Sequence, residues 1–108
     1  MKTLKFALNL VPLVQDGSKT STWRLFDDKD LTEGDLLSLL DKSTGQEFAK
    51  AEITTVKEIS LGNMTEKDKE GHEKFNSNEE MYETYSKYYG VKVDKDTLLK
   101  IVRFRLIS

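Results

Sequence analysis

Short runs in which apolar and polar residues alternate are the feature that most constrains the fold of this 108-residue chain. Near the N-terminus, Leu4, Phe6, Leu8 and Leu10 are each separated by one smaller or polar residue. A period of two is typical of a strand that buries one face. We therefore predict a first strand that runs through Leu10.

Further strands are predicted along the chain, with short turns between them. Glu33-Gly34-Asp35 and Ser43-Thr44-Gly45 carry the residue types that favour turns. In the last strand, Val102 and Phe104 are expected on the face opposite to Ile101. The predicted later strands are 19–25, 36–40, 47–59 (one long bent strand or two in succession) and 98–107.

Three short helical segments are also predicted. Residues 11–15 lose the alternation and suit a helical turn with a proline near its start. Thr65 is a predicted N-cap for a helix that ends at Gly71. Ser77, with glutamate three positions later, predicts a capped helix that Gly90 closes. Strands dominate, so we expect one domain over residues 1–108, mostly β with short helices (α+β), built as a small barrel with helices over one side.

Composition narrows the possible chemistry. The chain has no cysteine, which excludes disulfides, thiolate metal sites and cysteine nucleophiles. Its single histidine, His72, leaves neither a zinc site nor a Ser-His-Asp triad within one chain. No metal and no cofactor are predicted, and any catalysis would use Lys, Glu, Asp, Thr, Ser or Tyr.

Charge and hydropathy bear on partners and location. No apolar run approaches the roughly 20 residues of a membrane-spanning helix, and no signal-peptide pattern follows Met1. We therefore expect a cytoplasmic protein with no membrane partner. The net charge is −2, and residues 62–96 are mainly acidic, whereas Lys19, Arg24, Arg103 and Arg105 lie outside that segment. A local basic pocket is compatible with this pattern, but a broad basic face for long nucleic acid is not.

The octapeptide GSKTSTWR, Gly17 to Arg24, concentrates polar and aromatic groups beside a turn. In a regular strand, Lys19 and Thr22 would point to opposite faces. The two side chains can meet only if Lys19 lies in the turn after Gly17, or if a bulge redirects it. This condition applies to any chemistry that combines them.

The octapeptide resembles the signature of the ASCH family, a G-x-K-x-x-(acidic or Thr)-x-R pattern that follows the first strand and a short helix. The resemblance extends to the turn Glu33-Gly34-Asp35, to residues 71–90 and to the closing LLKIVRFRL, and so covers nearly the whole chain. It implies a PUA-like small β-barrel with mixed or antiparallel strands. It also implies a cleft beside the signature that binds a nucleoside, a nucleotide or RNA.

Some small members of that family hydrolyse the amide of N4-acetylcytidine with a lysine and a threonine of the signature and a later glutamate. The resemblance places these roles on Lys19 as base and Thr22 as nucleophile, with Glu73 ranked above Glu70 as the assisting acid. Acting as a base requires that burial or a neighbouring cation lowers the pKa of the lysine from about 10.4. The ligand-binding residues expected with them are Gly17, Trp23, Arg24 and His72.

Each of these residues also has a structural interpretation. Lys19 and Thr22 would then be solvated strand residues, Trp23 would pack in the core or at its rim, and Arg24 would form ion pairs. His72 is expected to be exposed to solvent. The tyrosines of the second helix are expected to pack against the barrel.

Two other functions remain open from the sequence. One is a non-catalytic RNA-binding module on the same barrel, in which Lys19 and Arg24 hold phosphate. The other is a protein-interaction domain that uses the tyrosine-rich helix as its anchor. The sequence predicts no oligomeric state.

Overall fold

The computed structural model describes residues 1–26, 29–72 and 74–107. Within these residues the chain forms five strands, two α-helices and two short 3-10 helices, at Leu8–Leu10 and Leu61–Asn63. The strands and α-helices, in chain order, are β1 (Lys2–Phe6), α1 (Val11–Gln15), β2 (Ser21–Leu25), β3 (Leu36–Asp41), β4 (Glu47–Ser60), α2 (Asn78–Tyr89) and β5 (Leu98–Ile107).

The five strands form one mixed sheet in the order β1-β3-β4-β5-β2. β1 and β3 are parallel, and the other neighbouring strands are antiparallel. The pairing of β4 with β5 shifts register between Ile53 and Thr55, and such a bulge increases the local bend and twist of a strand. The sheet curls into a half-barrel, which confirms the predicted mostly β, PUA-like fold class.

The two edge strands, β1 and β2, approach each other across the open side of the half-barrel. Arg24 on β2 donates a hydrogen bond from Nη2 to the carbonyl oxygen of Lys5 on β1, at 3.3 Å. Its guanidinium also lies over the ring of Phe6, 5.5 Å from the ring centroid. Among the described residues, β1 and β2 are not paired by backbone hydrogen bonds. The Arg24 side chain therefore provides a contact between these two edge strands.

The first strand is shorter than predicted. It ends at Phe6, and residues 8–10 form a 3-10 helix that leads into α1. Leu8, which the alternation assigned to a buried face, is 62% exposed. The next buried positions are Val11 and Val14 of α1, so the chain leaves the sheet to cover one end of the core.

The predicted helix between Thr65 and Gly71 is wrong, because this segment forms successive turns. Thr65 and Asp68 bind each other as a capping pair would: the Asp68 carboxylate accepts from the Thr65 N–H at 2.9 Å, and Thr65 Oγ1 accepts from the Asp68 N–H at 3.3 Å. The capping hydrogen bonds therefore form here without a helix after them. We call residues 65–72 the 65–72 loop.

The predicted helix after Ser77 is confirmed as α2. Ser77 Oγ accepts a hydrogen bond from the Glu80 N–H at 3.1 Å, and Gly90 ends the helix with φ of +71°. Such a left-handed residue after the last turn is where glycine is favoured. The Glu80 carboxylate accepts from Asn76, so only half of the predicted capping box forms as expected.

Two hydrophobic clusters lie on opposite faces of the sheet, and β5 contributes to both. Val102 and Phe104 belong to the first cluster and Ile101 to the second, as the predicted alternation requires. The first cluster also contains Leu4, Phe6, Val14, Leu31, Leu37, Leu39, Ala51 and Ile53. The second, on which α2 packs, also contains Trp23, Leu25, Leu61, Met81, Val93 and Leu99.

In the part of the chain that the structure describes, no helix is long and apolar enough to cross a membrane.

Candidate functional site

A cavity of about 140 Å³ lies where the two edge strands approach each other and α2 covers the gap. The end of β1, the beginning and middle of β2, the turn after β3 and the last turns of α2 all contribute to its wall. The described residues that line it are Lys5, Phe6, Ala7, Leu10, Lys19, Thr22, Trp23, Arg24, Lys42, His72, Tyr85, Tyr88 and Tyr89.

Lys19 and Thr22 both line this cavity, and both are buried, with exposures of 4% and 5%. β2 begins only at Ser21, so Lys19 lies before the strand and the alternation rule does not separate it from Thr22. Its backbone N–H donates to the carbonyl oxygen of Leu13 at 3.0 Å, which holds the residue against the end of α1. Lys19 therefore lies between the turn at Gly17 and the strand, which is one of the two arrangements that allow its side chain to meet Thr22.

Gly17 contributes to this geometry through its backbone. It has φ of +86°, a left-handed conformation that redirects the chain after α1. Asp16 supports the turn by accepting from the Ser18 N–H at 2.8 Å, and hydrogen bonds from Ser18 hold the pKa of the Asp16 carboxyl below its usual value. Gly17 itself lines a separate surface groove with Lys19. It is therefore placed to position Lys19 and does not line the cavity.

Trp23 and His72 form a stacked pair in the wall of the cavity. Their ring centroids are 3.8 Å apart with an interplanar angle of 11°. His72 is half-buried, and its Nε2 lies 3.4 Å from Tyr85 Oη, so the expected solvent-exposed position is wrong. Trp23 is 4% exposed, which fits its interpretation as a packed residue. Because His72 covers one face of the indole, a base could stack only on the other face or after His72 moves.

Gly71 holds His72 in this place. Its carbonyl oxygen accepts hydrogen bonds from the backbone N–H groups of Thr20 at 2.9 Å and Ser21 at 3.1 Å. Gly71 has φ of +77°, and a Cβ at this position would collide with Thr20 Oγ1. A glycine is required here both for the backbone conformation and for the close approach to β2.

Arg103 and Lys57 fasten the rest of the 65–72 loop to the sheet. The Arg103 guanidinium donates to the carbonyl oxygens of Lys67 at 2.7 Å and of Glu70 at 3.0 Å. Lys57 Nζ lies 2.7 Å from the Asp68 carboxylate, and together with the Thr65 N–H it holds the pKa of that carboxyl below its usual value. Both bonds of Arg103 go to backbone carbonyl oxygens, so this side chain holds the path of the loop.

The cavity is rich in positive charge. Among the described residues that line it, Lys5, Lys19, Arg24 and Lys42 are cationic and none is a carboxylate. Lys5 and Lys42 are exposed, so their charges lie at the mouth, and Lys42 Nζ is 5.0 Å from the centroid of the Tyr88 ring. The structure therefore gathers cationic side chains from separate segments of the chain among the described residues of this cavity.

The structure describes one of the two candidate glutamates, Glu70. Glu70 is exposed and lines a neighbouring groove of about 450 Å³ near the start of α2, together with Trp23 and Lys69. The structure does not bring Glu70 into the cavity with Lys19 and Thr22. Glu73 lies outside the described residues. No group of three or more potential metal ligands occurs among the residues that are described.

Sequence reasoning missed several lining residues: Lys5, Lys42, and the tyrosines in a binding role. The parallel pairing of β1 with β3 places Phe6 beside Asp41, and the Lys42 N–H donates to the Phe6 carbonyl oxygen at 2.9 Å. This contact brings the turn after β3 to the cavity. No local pattern around Lys42 signals it. Tyr82, Tyr85 and Tyr89 do pack against the second cluster as predicted, while Tyr88 is 59% exposed.

Comparison with known proteins identifies the fold. No family model matches the chain, and no curated protein matches it in sequence. Among solved structures, a DUF984 protein from Enterococcus faecalis V583 superposes with a TM-score of 0.77 at 22% identity, over 92% of this chain and 70% of that one. The ASCH domain from Lactobacillus crispatus JV V101 superposes with a TM-score of 0.71 at 16% identity, over 97% of this chain and 79% of that one.

An ASCH protein from Zymomonas mobilis is a third match, with a TM-score of 0.65 at 12% identity, over 98% of this chain and 73% of that one. At these identities the comparisons establish a shared fold and carry no residue roles. The chain has the fold of ASCH domain structures, which confirms at the level of architecture what the octapeptide predicted.

Proposed function

We propose that this chain, whose fold is that of ASCH domains, is an ASCH-family protein that binds a nucleoside, a nucleotide or RNA in the cavity and hydrolyses the amide of N4-acetylcytidine. One observation carries the proposal: Lys19 and Thr22, both buried, line the same small cavity beside the stacked pair of Trp23 and His72. Burying a lysine is costly for a fold. A chemical use for its amine would account for that cost.

In the proposed reaction, Thr22 Oγ attacks the acetyl carbonyl carbon, and the amine of Lys19 accepts the hydroxyl proton. The amine must be unprotonated to do so. The tetrahedral intermediate collapses as its C–N bond breaks, and the cytidine N4 leaves with a proton returned from Lys19. Water then hydrolyses the acetyl ester on Thr22, so the products are acetate and cytidine and the enzyme is regenerated.

The remaining residues would recognise the substrate. In this proposal the Arg24 guanidinium, which also donates to the Lys5 carbonyl oxygen, contacts a carbonyl oxygen or a phosphate of the substrate. In this proposal Glu73 orients the cytosine or relays the proton to the leaving amine. We leave Glu70 out of the site, because it lines the neighbouring groove.

The positive lining supports a second candidate, the non-catalytic RNA-binding module. The exposed ammonium groups of Lys5 and Lys42, at the mouth of the cavity, suit a phosphate group. In that case Lys19 and Arg24 would hold phosphate, and Thr22 would donate one hydrogen bond. The two candidates differ in one outcome, the release of acetate.

The test is acetate release from N4-acetylcytidine by the purified protein and by Thr22→Val, which keeps the side-chain shape and removes the hydroxyl. We expect turnover by the wild type and a loss of about 100-fold or more in kcat for Thr22→Val and for Lys19→Gln. Thr22→Ser, which retains a hydroxyl, should keep part of the activity. For wild type and Thr22→Ser, the dependence of kcat on pH should report one basic group.

Ser21→Ala is the matched control. Ser21 is a buried hydroxyl next to Thr22, but it is not among the residues lining the cavity. Activity that survives in Thr22→Val, with folding verified by circular dichroism, would overturn the nucleophile assignment. If the wild type releases no acetate yet binds a cytidine oligonucleotide, the binding module replaces the hydrolase.

A further inference from the structure

A second concavity, of about 500 Å³, shares Arg24 with the cavity. Arg24, Phe26, Glu58, Lys92, Leu98 and Lys100 contribute to its lining, and we call it the Phe26 groove. Neither the sequence patterns nor the proposed reaction gives these residues a role, apart from Arg24. The groove is the larger of the two spaces and is open to solvent.

Phe26 is an unusual residue in this groove. Its side chain is 61% exposed, and its backbone has φ of +54°. A bulky residue in the left-handed region is strained, and such strain is often retained where a side chain is presented for binding. The ring is fixed in an edge-to-face contact with Tyr89, with centroids 5.6 Å apart. The structure thus presents an aromatic ring to solvent in a fixed orientation.

The groove adjoins the cavity. Arg24 lines both spaces, and Tyr89, which lines the cavity, contacts Phe26 of the groove. The cavity holds about 140 Å³, whereas clefts for small molecules usually begin near 300 Å³. Only the reacting end of a substrate therefore fits inside, and the rest of it must lie on the neighbouring surface.

The charge of the groove indicates what lies there. Among the described lining residues, Lys92 is exposed and cationic, Glu58 is a carboxylate, and Arg24 and Lys100 donate to the carbonyl oxygens of Lys5 and Leu31. Asp27 and Asp28 follow Phe26 in the sequence and lie outside the described residues. An exposed aromatic ring beside cations is the combination that binds single-stranded nucleic acid, through base stacking and phosphate contacts.

We propose that the Phe26 groove binds the nucleotide next to the acetylated cytidine in a single RNA strand, with its base on Phe26 and a phosphate near Lys92. This inference rests on the proposed function, since it takes the reacting base to be in the cavity. It narrows the substrate to a nucleotide within RNA in preference to the free nucleoside.

The experiment compares kcat/KM for free N4-acetylcytidine and for an RNA trinucleotide with N4-acetylcytidine at its centre. The wild type is expected to prefer the trinucleotide, and Phe26→Ala to reduce the ratio of the two kcat/KM values about fivefold or more, as expected for one lost stacking contact. Val91→Ala, an exposed apolar residue outside the groove lining, should leave the ratio unchanged.

A second pair of variants tests the phosphate contact. Lys92→Gln should weaken the dependence of the trinucleotide KM on salt concentration, because one phosphate contact is lost. Lys95→Gln, exposed and outside the groove lining, should not. Equal kcat/KM values for both substrates, or no change of their ratio in Phe26→Ala, would overturn the groove assignment while nucleoside turnover still supports the proposed function.

If neither substrate is hydrolysed, the proposed function fails and the groove is tested alone. Fluorescence anisotropy with an unmodified RNA oligonucleotide should then show binding that Phe26→Ala weakens. No binding, or equal binding by Phe26→Ala, would overturn the inference. So would a dimer in light scattering that Phe26→Ala dissociates without any effect on RNA binding, because the surface would then contact protein.

Discussion

The two faces of the sheet are built differently. The first cluster consists of aliphatic and phenylalanine side chains, with Leu37, Leu39 and Ala51 completely buried. The second contains Trp23 and Met81, and His72 and three tyrosines of α2 pack around it. Here Ser21 Oγ and Trp23 Nε1 are buried without a hydrogen-bond partner among the described residues. Both clusters reach the cavity, the first through Phe6 and the second through Trp23. A uniformly apolar cluster favours stability, whereas buried polar atoms without a hydrogen-bond partner cost part of it.

The largest expected effect of this difference is on stability. Leu39→Ala removes most of a completely buried side chain from the first cluster, and we expect a loss of about 2–5 kcal/mol in the free energy of unfolding. Urea denaturation followed by circular dichroism measures it. The near-ultraviolet signal of Trp23, the single tryptophan, should be unchanged in the folded variant. A change in that signal would show that the two faces are coupled.

A smaller loss of stability, with a specific local effect, is expected for Gly71→Ala. The left-handed backbone and the collision with Thr20 Oγ1 should cost about 1–3 kcal/mol. Displacement of the 65–72 loop should also separate His72 from Trp23 and change tryptophan fluorescence. Gly45→Ala is the matched control, because Gly45 has φ of +75° and open space where its Cβ would lie. The comparison is contradicted if both variants alter the fluorescence of Trp23.

The smallest expected effect is a dependence of stability on pH. Hydrogen bonds from Lys2 and from the Thr32 N–H lower the pKa of Asp35 from 3.8 to about 2. A carboxyl with a lowered pKa in the folded state stabilises the protein above its unfolded pKa, and this contribution is lost as the pH falls through the folded pKa. The free energy of unfolding should therefore decrease between about pH 4 and pH 2, and less so in Asp35→Asn.

Asp68 tests whether the 65–72 loop holds His72 against Trp23. Its pKa is lowered by Lys57 and Thr65, so its contribution to stability has the same sign and is also lost in acid. Asp68→Asn should in addition alter the near-ultraviolet signal of Trp23 at neutral pH, because Asp68 anchors the loop that carries His72. Asp35 precedes β3 and binds Lys2 at the start of β1, so Asp35→Asn should leave this signal unchanged. Identical spectra for the two variants would contradict the role of Asp68 in holding the 65–72 loop, and with it His72, in place.

Local sequence patterns predicted the elements that depend on neighbouring residues. α2 follows from Ser77 and Gly90, and the strand 98–107 from its alternating residues, and both match the structure. The alternation through Leu10 failed, because the chain turns away from the sheet after Phe6. The cap at Thr65 formed its hydrogen bonds without a helix, because contacts of the loop with Arg103 and of Gly71 with the start of β2 hold its backbone.

The candidate site was only partly predictable. The octapeptide indicated Lys19, Thr22, Trp23 and Arg24, and the structure brings these four to one cavity. Their roles in binding and catalysis remain predictions. The sequence did not indicate Lys5 or Lys42, and it favoured an exposed His72 that is in fact stacked on Trp23. Those contacts join segments far apart in the chain, and no pattern within a short window reports them.

The sequence by itself determined the elements that short-range physics controls: strand alternation, the caps of α2, the turns at glycines, and the exclusion of cysteine chemistry. Tertiary structure alone decided the parallel pairing of β1 with β3, the approach of β2 to β1 through Arg24, and the anchoring of the 65–72 loop by Arg103 and Gly71. The physical reason is the sequence separation of the residues that interact. Caps and alternation act between residues a few positions apart, whereas the cavity exists only once the sheet has curled and brought distant segments into contact.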